Sequence, residues 1–196
     1  EYMELEKTEV GVPTFLDYLV GERRWDIVLK NDKIFLGSII LRGCIWPYME
    51  PLKAICVEPG HSKHPDFVSS CGVYAYKYIK PASPLLGICR GSLYGSVYLW
   101  GRVIEHEDGY RAEFAYPKNF QFGGCYVCGV KNINYGSWLF LDPFNLKILI
   151  TFCSIKCLGV IYYVYSQLYS HYYSDVVNKI ELKNIVKKLN CLYFST

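Results

Sequence analysis

The sequence predicts an α+β chain that is rich in β-structure over its first 118 residues and carries a cysteine-bearing module with a helical tail beyond them. Three observations carry that prediction. Short β-branched and aromatic runs broken by turn residues fill the first part. Two close cysteine pairs follow, and apolar residues then recur at helical spacing to the C-terminus. The 196 residues are 52% hydrophobic, 17% aromatic and 20% charged, enough to bury a core and unlike a disordered or fibrous chain.

Residues 1–24 are mixed and charged, with Thr14 placed to cap a short helix carrying Phe15, Leu16, Tyr18, Leu19 and Val20. Trp25–Lys30 and Lys33–Leu41 read as two strands of a hairpin turned at Asn31-Asp32. The stretch from Gly43 to Ser70 is punctuated by Pro47, Pro51, Pro59, Gly60 and Pro65 and reads as a loop that something must hold. From Gly72 to Ile79, alternation puts Tyr74, Tyr76 and Tyr78 on one face of a strand. A last hairpin joins Ser96–Glu105 to Tyr110–Tyr116 through His106-Glu107-Asp108-Gly109. Val97, Leu99, Gly101 and Val103 form its core row, with Tyr98, Trp100 and Arg102 opposite. The first domain therefore spans 1–118 and the second 119–196.

In the second domain Ile161, Val164, Tyr165, Leu168, Tyr172, Val176 and Ile180 recur at helical spacing. Leu182, Ile185, Val186, Leu189 and Leu192 continue the pattern after an N-cap at Ser174. The run 148–165 is about eighteen residues long and nearly all apolar, so a membrane-associated chain is one alternative. Lys156 and two cysteines sit in its middle, where a lysine costs about 3 kcal/mol on insertion scales, and a strand followed by a buried helix accounts for the same residues. No repeat or low-complexity tract is present.

Nine cysteines, an odd number without a secretory leader pattern, point to cytoplasmic thiols and metal ligands over a disulfide framework. Cys125-Tyr-Val-Cys128-Gly129 and Phe152-Cys153-Ser154-Ile-Lys156-Cys157 are separated by 24 residues. Zinc takes four soft ligands in a tetrahedron, and two pinched pairs supply them. Gly129 suits the turn after the first pair, and the start of a helix favours the thiolates of the second. With no fifth ligand evident, the ion is structural.

These residues resemble the treble-clef fingers of the TRASH and FCS type: a Cys-x-x-Cys-Gly knuckle, a β-hairpin, then Phe-Cys-Ser-x-Lys-Cys opening a helix. Cys125, Cys128, Gly129, Gly136, Phe152, Cys153, Ser154, Lys156 and Cys157 are the matching positions, over about residues 123–170. The resemblance implies zinc ligation. Residues 43–118 resemble an uncharacterised, mainly bacterial family through Cys56, His64-Pro65, the segment from Cys71 to Ala75 and the run from Gly95 to Ala112. That resemblance implies a common β-rich fold and no known activity.

Cys56, His61, His64 and Cys71 fall in or beside the Pro/Gly-rich loop, as a second zinc set or as loop histidines and core cysteines. Cys44, Cys89 and Cys191 are left as core thiols. Tyr74, Tyr76, Tyr78, Tyr98, Trp100 and Arg102 form either a stacking surface for single-stranded nucleic acid, a protein interface, or a face packed beneath the C-terminal helix. Glu105, His106, Glu107 and Asp108 form either an acid/base cluster or a solvated hairpin tip. No nucleophile elbow, phosphate loop or paired-carboxylate motif marks an enzyme.

The expected function is that of a non-enzymatic, zinc-binding interaction protein whose partner is nucleic acid or another protein; the alternative is an enzyme of unknown class that uses the Glu105–Asp108 hairpin or the Cys56, His61, His64 and Cys71 loop. The Tyr-, Ile- and Lys-rich, Gln-poor composition points to a thermophilic archaeal or viral source. A net charge of +3 is too small to mark a nucleic-acid binder by itself, so such a role rests on local patches.

Overall fold

The computed structural model describes residues 3–4, 18–39, 41, 43–56, 65–67, 70–78, 93–141, 146–168 and 176–194. In chain order its elements are β1 (Met3–Glu4), β2 (Leu19–Lys30), β3 (Lys33–Ser38), β4 (Leu52–Lys53), β5 (Val73–Tyr76), β6 (Leu93–Glu105), β7 (Gly109–Pro117), β8 (Gln121–Phe122), β9 (Tyr135–Leu141), β10 (Leu146–Phe152), α1 (Ile155–Leu168), β11 (Val176–Asn178) and α2 (Lys179–Phe194). They divide into two units that interleave along the chain. Unit 1 takes Glu1–Arg23, Met49–Lys80 and Gly95–Phe120; unit 2 takes Arg24–Tyr48, Pro81–Tyr94 and Gln121–Thr196.

In unit 1, β6 and β7 form the long antiparallel hairpin, from Val97↔Pro117 to Glu105↔Tyr110, with the register shifting between Trp100 and Val103. β7 pairs with β5 from Val73↔Ala112 to Tyr76↔Gly109, and β5 meets β2 at Glu22↔Tyr76. A β6–β2 pairing closes these four strands into a small barrel. Val97, Leu99 and Val103 of β6 are buried, as are Val73, Ala75, Ala112 and Ala115 of the neighbouring strands. The expected core row is thus present, while Tyr98, Trp100 and Arg102 are half-buried. Leu19 and Val20, expected in a helix, begin β2 instead, because pairing across the barrel outweighs a weak local propensity. Thr14, Phe15 and Leu16 lie outside the described residues.

In unit 2, β2 and β3 make the hairpin read from the sequence, from Trp25↔Ser38 to Lys30↔Lys33. Asn31 and Asp32 both have positive φ, 49° and 59°, as a two-residue type I′ turn requires. The sheet continues antiparallel through β10, β9 and β11. Leu139, Ile150 and Phe152 face Leu158 and Ile161 of α1. The alternate side chains of β9 and β10 face the other way, where a Cβ added to Gly136 would lie 2.7 Å from Leu182 of α2 and 2.9 Å from Val177. Gly136 thus lets α2 approach the strand closely.

The continuous helical pattern expected from 161 to 192 is broken. Val176–Asn178 is a strand paired with β9, and Asn178, not Ser174, caps α2, its Oδ1 accepting the Glu181 N–H at 2.8 Å. Ser174 lies outside the described residues. Leu182, Ile185, Leu189 and Tyr193 form the buried stripe of α2. Cys191 falls off that stripe and is exposed, which corrects its reading as a core thiol; Cys44 is half-buried, and Cys89 is not described.

Tyr193 pins the end of α2. Its hydroxyl donates to the Trp46 carbonyl at 2.8 Å and accepts the Leu36 N–H at 3.2 Å, while its ring meets Tyr48 edge-on at 5.3 Å. Removing only that oxygen, in Tyr193→Phe, is expected to lower stability by about 1–3 kcal/mol, the cost of stranding buried polar groups. Urea denaturation checks the shift in midpoint.

No helix among the described residues is long and apolar enough to cross a membrane. The apolar run 148–165 is divided between the end of β10 and α1, and Lys156 is exposed in the first turn of that helix. At 14 residues, α1 spans about 21 Å against roughly 30 Å of bilayer hydrocarbon.

Candidate metal centre

The first cysteine pair sits in a turn that the backbone draws shut. The Gly129 N–H donates to the Cys125 carbonyl and the Cys125 N–H to the Val130 carbonyl, both at 2.8 Å. Gly129 has φ +74°, the left-handed conformation that costs glycine nothing and other residues about 1 kcal/mol or more. The turn is held beside β10 by the Tyr126 N–H on the Thr151 carbonyl, also 2.8 Å.

The second pair occupies the junction of β10 and α1. Cys153 follows the last residue of the strand, and the Ser154 hydroxyl caps α1 by accepting the Cys157 N–H at 3.4 Å. Cys157 therefore lies in the first turn, where helix amide dipoles favour a thiolate. Asn134 secures the strand end, its Nδ2 donating to the Cys153 carbonyl at 2.8 Å and its N–H to the Phe152 carbonyl at 3.2 Å. Beneath the cysteines lie Leu139, Ile150, Phe152, Leu158 and Ile161, with Tyr135 stacked on Phe152 at 5.7 Å.

The four sulfurs converge. Sγ of Cys128 is 3.4 Å from Cys153 and 4.0 Å from Cys157, which is 3.6 Å from Cys153, and all four sulfurs lie within 4.8 Å of one another. A tetrahedral ion with metal–sulfur bonds of about 2.3 Å has sulfur–sulfur edges of about 3.8 Å, so the set can hold a metal ion and fits zinc. Cys125 is fully buried, Cys128 exposed and the other two half-buried. Burial opposes ionisation of Cys125, yet the N–H groups of Cys128, Val127 and Cys153 bring its pKa down to about 7. Burial pushes the Cys157 thiol up. Cys128 and Cys153 are also held above the ordinary thiol value: the Val130 amide lowers the first and the Cys128 thiol the second, but burial and the neighbouring sulfurs outweigh both.

No family model, curated protein or solved structure matches this chain.

Of the second cysteine–histidine set, Cys71 is buried and Cys56 half-buried, while His61 and His64 lie outside the described residues. The 105–108 hairpin tip is exposed. Glu105 pairs with Lys77 at 2.7 Å, and His106 Nε2 accepts the Arg111 Nε–H at 2.9 Å. Among the described residues, Tyr74, Tyr76 and Tyr78 are 41%, 48% and 61% exposed. Sequence patterning missed Asn134, whose role depends on a contact nineteen residues away, and it missed Lys53 and Lys118, which lie over the rings of Phe114 and Tyr98. Only the strand pairing brings those lysines to the rings.

Proposed function

We propose that Cys125, Cys128, Cys153 and Cys157 hold one structural zinc ion in a treble-clef module built from the 125–129 turn, the β9–β10 hairpin and the start of α1. The convergence of four sulfurs from two separate turns carries this reading. An all-sulfur tetrahedral set suits zinc, and four protein ligands leave no position for a substrate. On this reading the chain is a non-enzymatic binding protein. The metal fixes one unit, and the exposed aromatic face of the other meets the partner.

Cobalt titration tests the metal assignment. One equivalent should bring up the thiolate charge-transfer and visible absorption of a tetrahedral four-sulfur site, and zinc should bleach it stoichiometrically. Absence of those bands in folded, reduced protein would overturn the proposal. Metal must also displace protons. With Cys125 near 7 and the other thiols above their ordinary value, binding at pH 7 should release about three to four protons. Affinity should fall steeply as pH drops, which weakly buffered titrations with a pH indicator will read.

A further inference from the structure

The outer face of the unit 1 barrel pairs aromatic rings with cations. Trp100 and Phe114 face each other across β6 and β7 and stack at 5.8 Å, with Lys53 of β4 5.6 Å from the Phe114 centroid. Tyr98, two residues before Trp100 on the same side of β6, takes Tyr18 edge-on at 4.5 Å and Lys118 at 5.5 Å. Elsewhere in unit 1, the buried Arg111 lies 5.9 Å from the exposed ring of Tyr74. Including Lys77 on Tyr110, unit 1 holds at least four such pairs, where about one is expected per 70–80 residues.

Two features make this face more than surface packing. Tyr98, Trp100 and Phe114 are half-exposed although each is large enough to serve a core. The irregularity of β6 falls after Trp100, where Gly101 adopts φ +73°, and such bulges re-aim side chains at functional surfaces. The rings at 98 and 100 are on the order of 7 Å apart along the strand, room for each to receive one planar group. Exposed Lys53 and Lys118 supply positive charge beside those rings, and the neighbouring acid Glu113 accepts the Arg102 N–H at 3.3 Å. Planar groups on an anionic backbone are what this arrangement complements.

We infer that this face binds single-stranded nucleic acid, its bases stacking on Tyr98, Trp100 and Phe114 and its phosphates meeting Lys53, Lys118 and Arg102. The inference deepens the binding role proposed above and rests on it. Lysine–ring contacts at exposed sites are weak, about 0.5–1 kcal/mol, so the ammonium groups exchange readily onto phosphate. Base–aromatic stacking supplies about 1–3 kcal/mol per base and tolerates any sequence.

The test titrates fluorescein-labelled oligo(U) and oligo(dT) into the zinc-loaded full chain at low salt, reading anisotropy and tryptophan emission. Trp25, Trp46 and Trp138 are buried, so quenching of emission reports Trp100. Binding of one or both strands with quenching is expected, weaker as salt rises, and a duplex of equal length should bind at least tenfold more weakly. Removal of quenching by Trp100→Phe with binding retained places the base on that ring. The variant Lys53→Ala/Lys118→Ala, which spares the barrel core, should lower affinity about tenfold and reduce the salt slope by about 1.4, two phosphate contacts' worth. No anisotropy change with either strand would overturn the inference, as would equal duplex binding or a double variant that binds like the parent. Zinc content is measured on the same sample. Zinc present without strand binding overturns this inference alone, and strand binding by folded, zinc-free protein overturns the metal proposal alone.

Discussion

Cys157→Ser is expected to abolish stoichiometric zinc binding and to melt α1 together with the 125–129 turn. Structural zinc binding is worth roughly 10–16 kcal/mol in isolated zinc-dependent modules, comparable to or larger than the 5–15 kcal/mol that holds a typical domain folded. A serine hydroxyl is not ionised at neutral pH and is a poor soft-metal ligand, so three thiolates would remain around an incomplete site. Cys157 also sits in the first turn of α1 beside the Ser154 cap, so losing the metal releases the helix at its start. Circular dichroism should show reduced helicity, and a colorimetric chelator should find the metal missing. Cys191→Ser is the matched control. That thiol is exposed on α2, and its replacement should leave zinc content and helicity unchanged.

Phe152→Ala should have the second-largest effect. The ring is fully buried, stacked on Tyr135 and packed with Cys125, Leu139, Ile150, Leu158 and Ile161. Truncating a buried phenylalanine costs about 3–5 kcal/mol through lost burial and the cavity left behind. Phe152 directly precedes Cys153, so the cavity also loosens one ligand against the other three. Zinc affinity should fall together with the urea midpoint. Tyr163→Ala, at a side chain 70% exposed on α1, should change stability by no more than about 0.5 kcal/mol.

What could be read from the sequence was local. The Asn31-Asp32 turn, the inward row of Val97, Leu99 and Val103, and the strand-to-helix junction at Cys153 each follow from a few adjacent residues. The cysteine spacing was legible for the same reason, since each pair is closed by its own turn. Long-range pairing was not legible. Leu19 and Val20 carry no strong strand signal and become β2 only within the barrel, while Val176–Asn178 has a helical spacing that pairing with β9 overrides. The interleaving of the units comes from the length of β2, whose pairing with β5 lies in unit 1 and with β3 and β10 in unit 2. On the face proposed to bind a strand, Tyr98 and Trp100 were legible from alternation. Lys53 and Lys118, the cations at those rings, come from separate segments, and no local pattern connects them.

Native mass spectrometry of reduced protein, run beside Cys157→Ser, tests the metal centre most directly. The parent chain should carry one zinc more than the variant, and acid denaturation should release it. A folded parent chain with α1 intact and no bound metal would contradict the account.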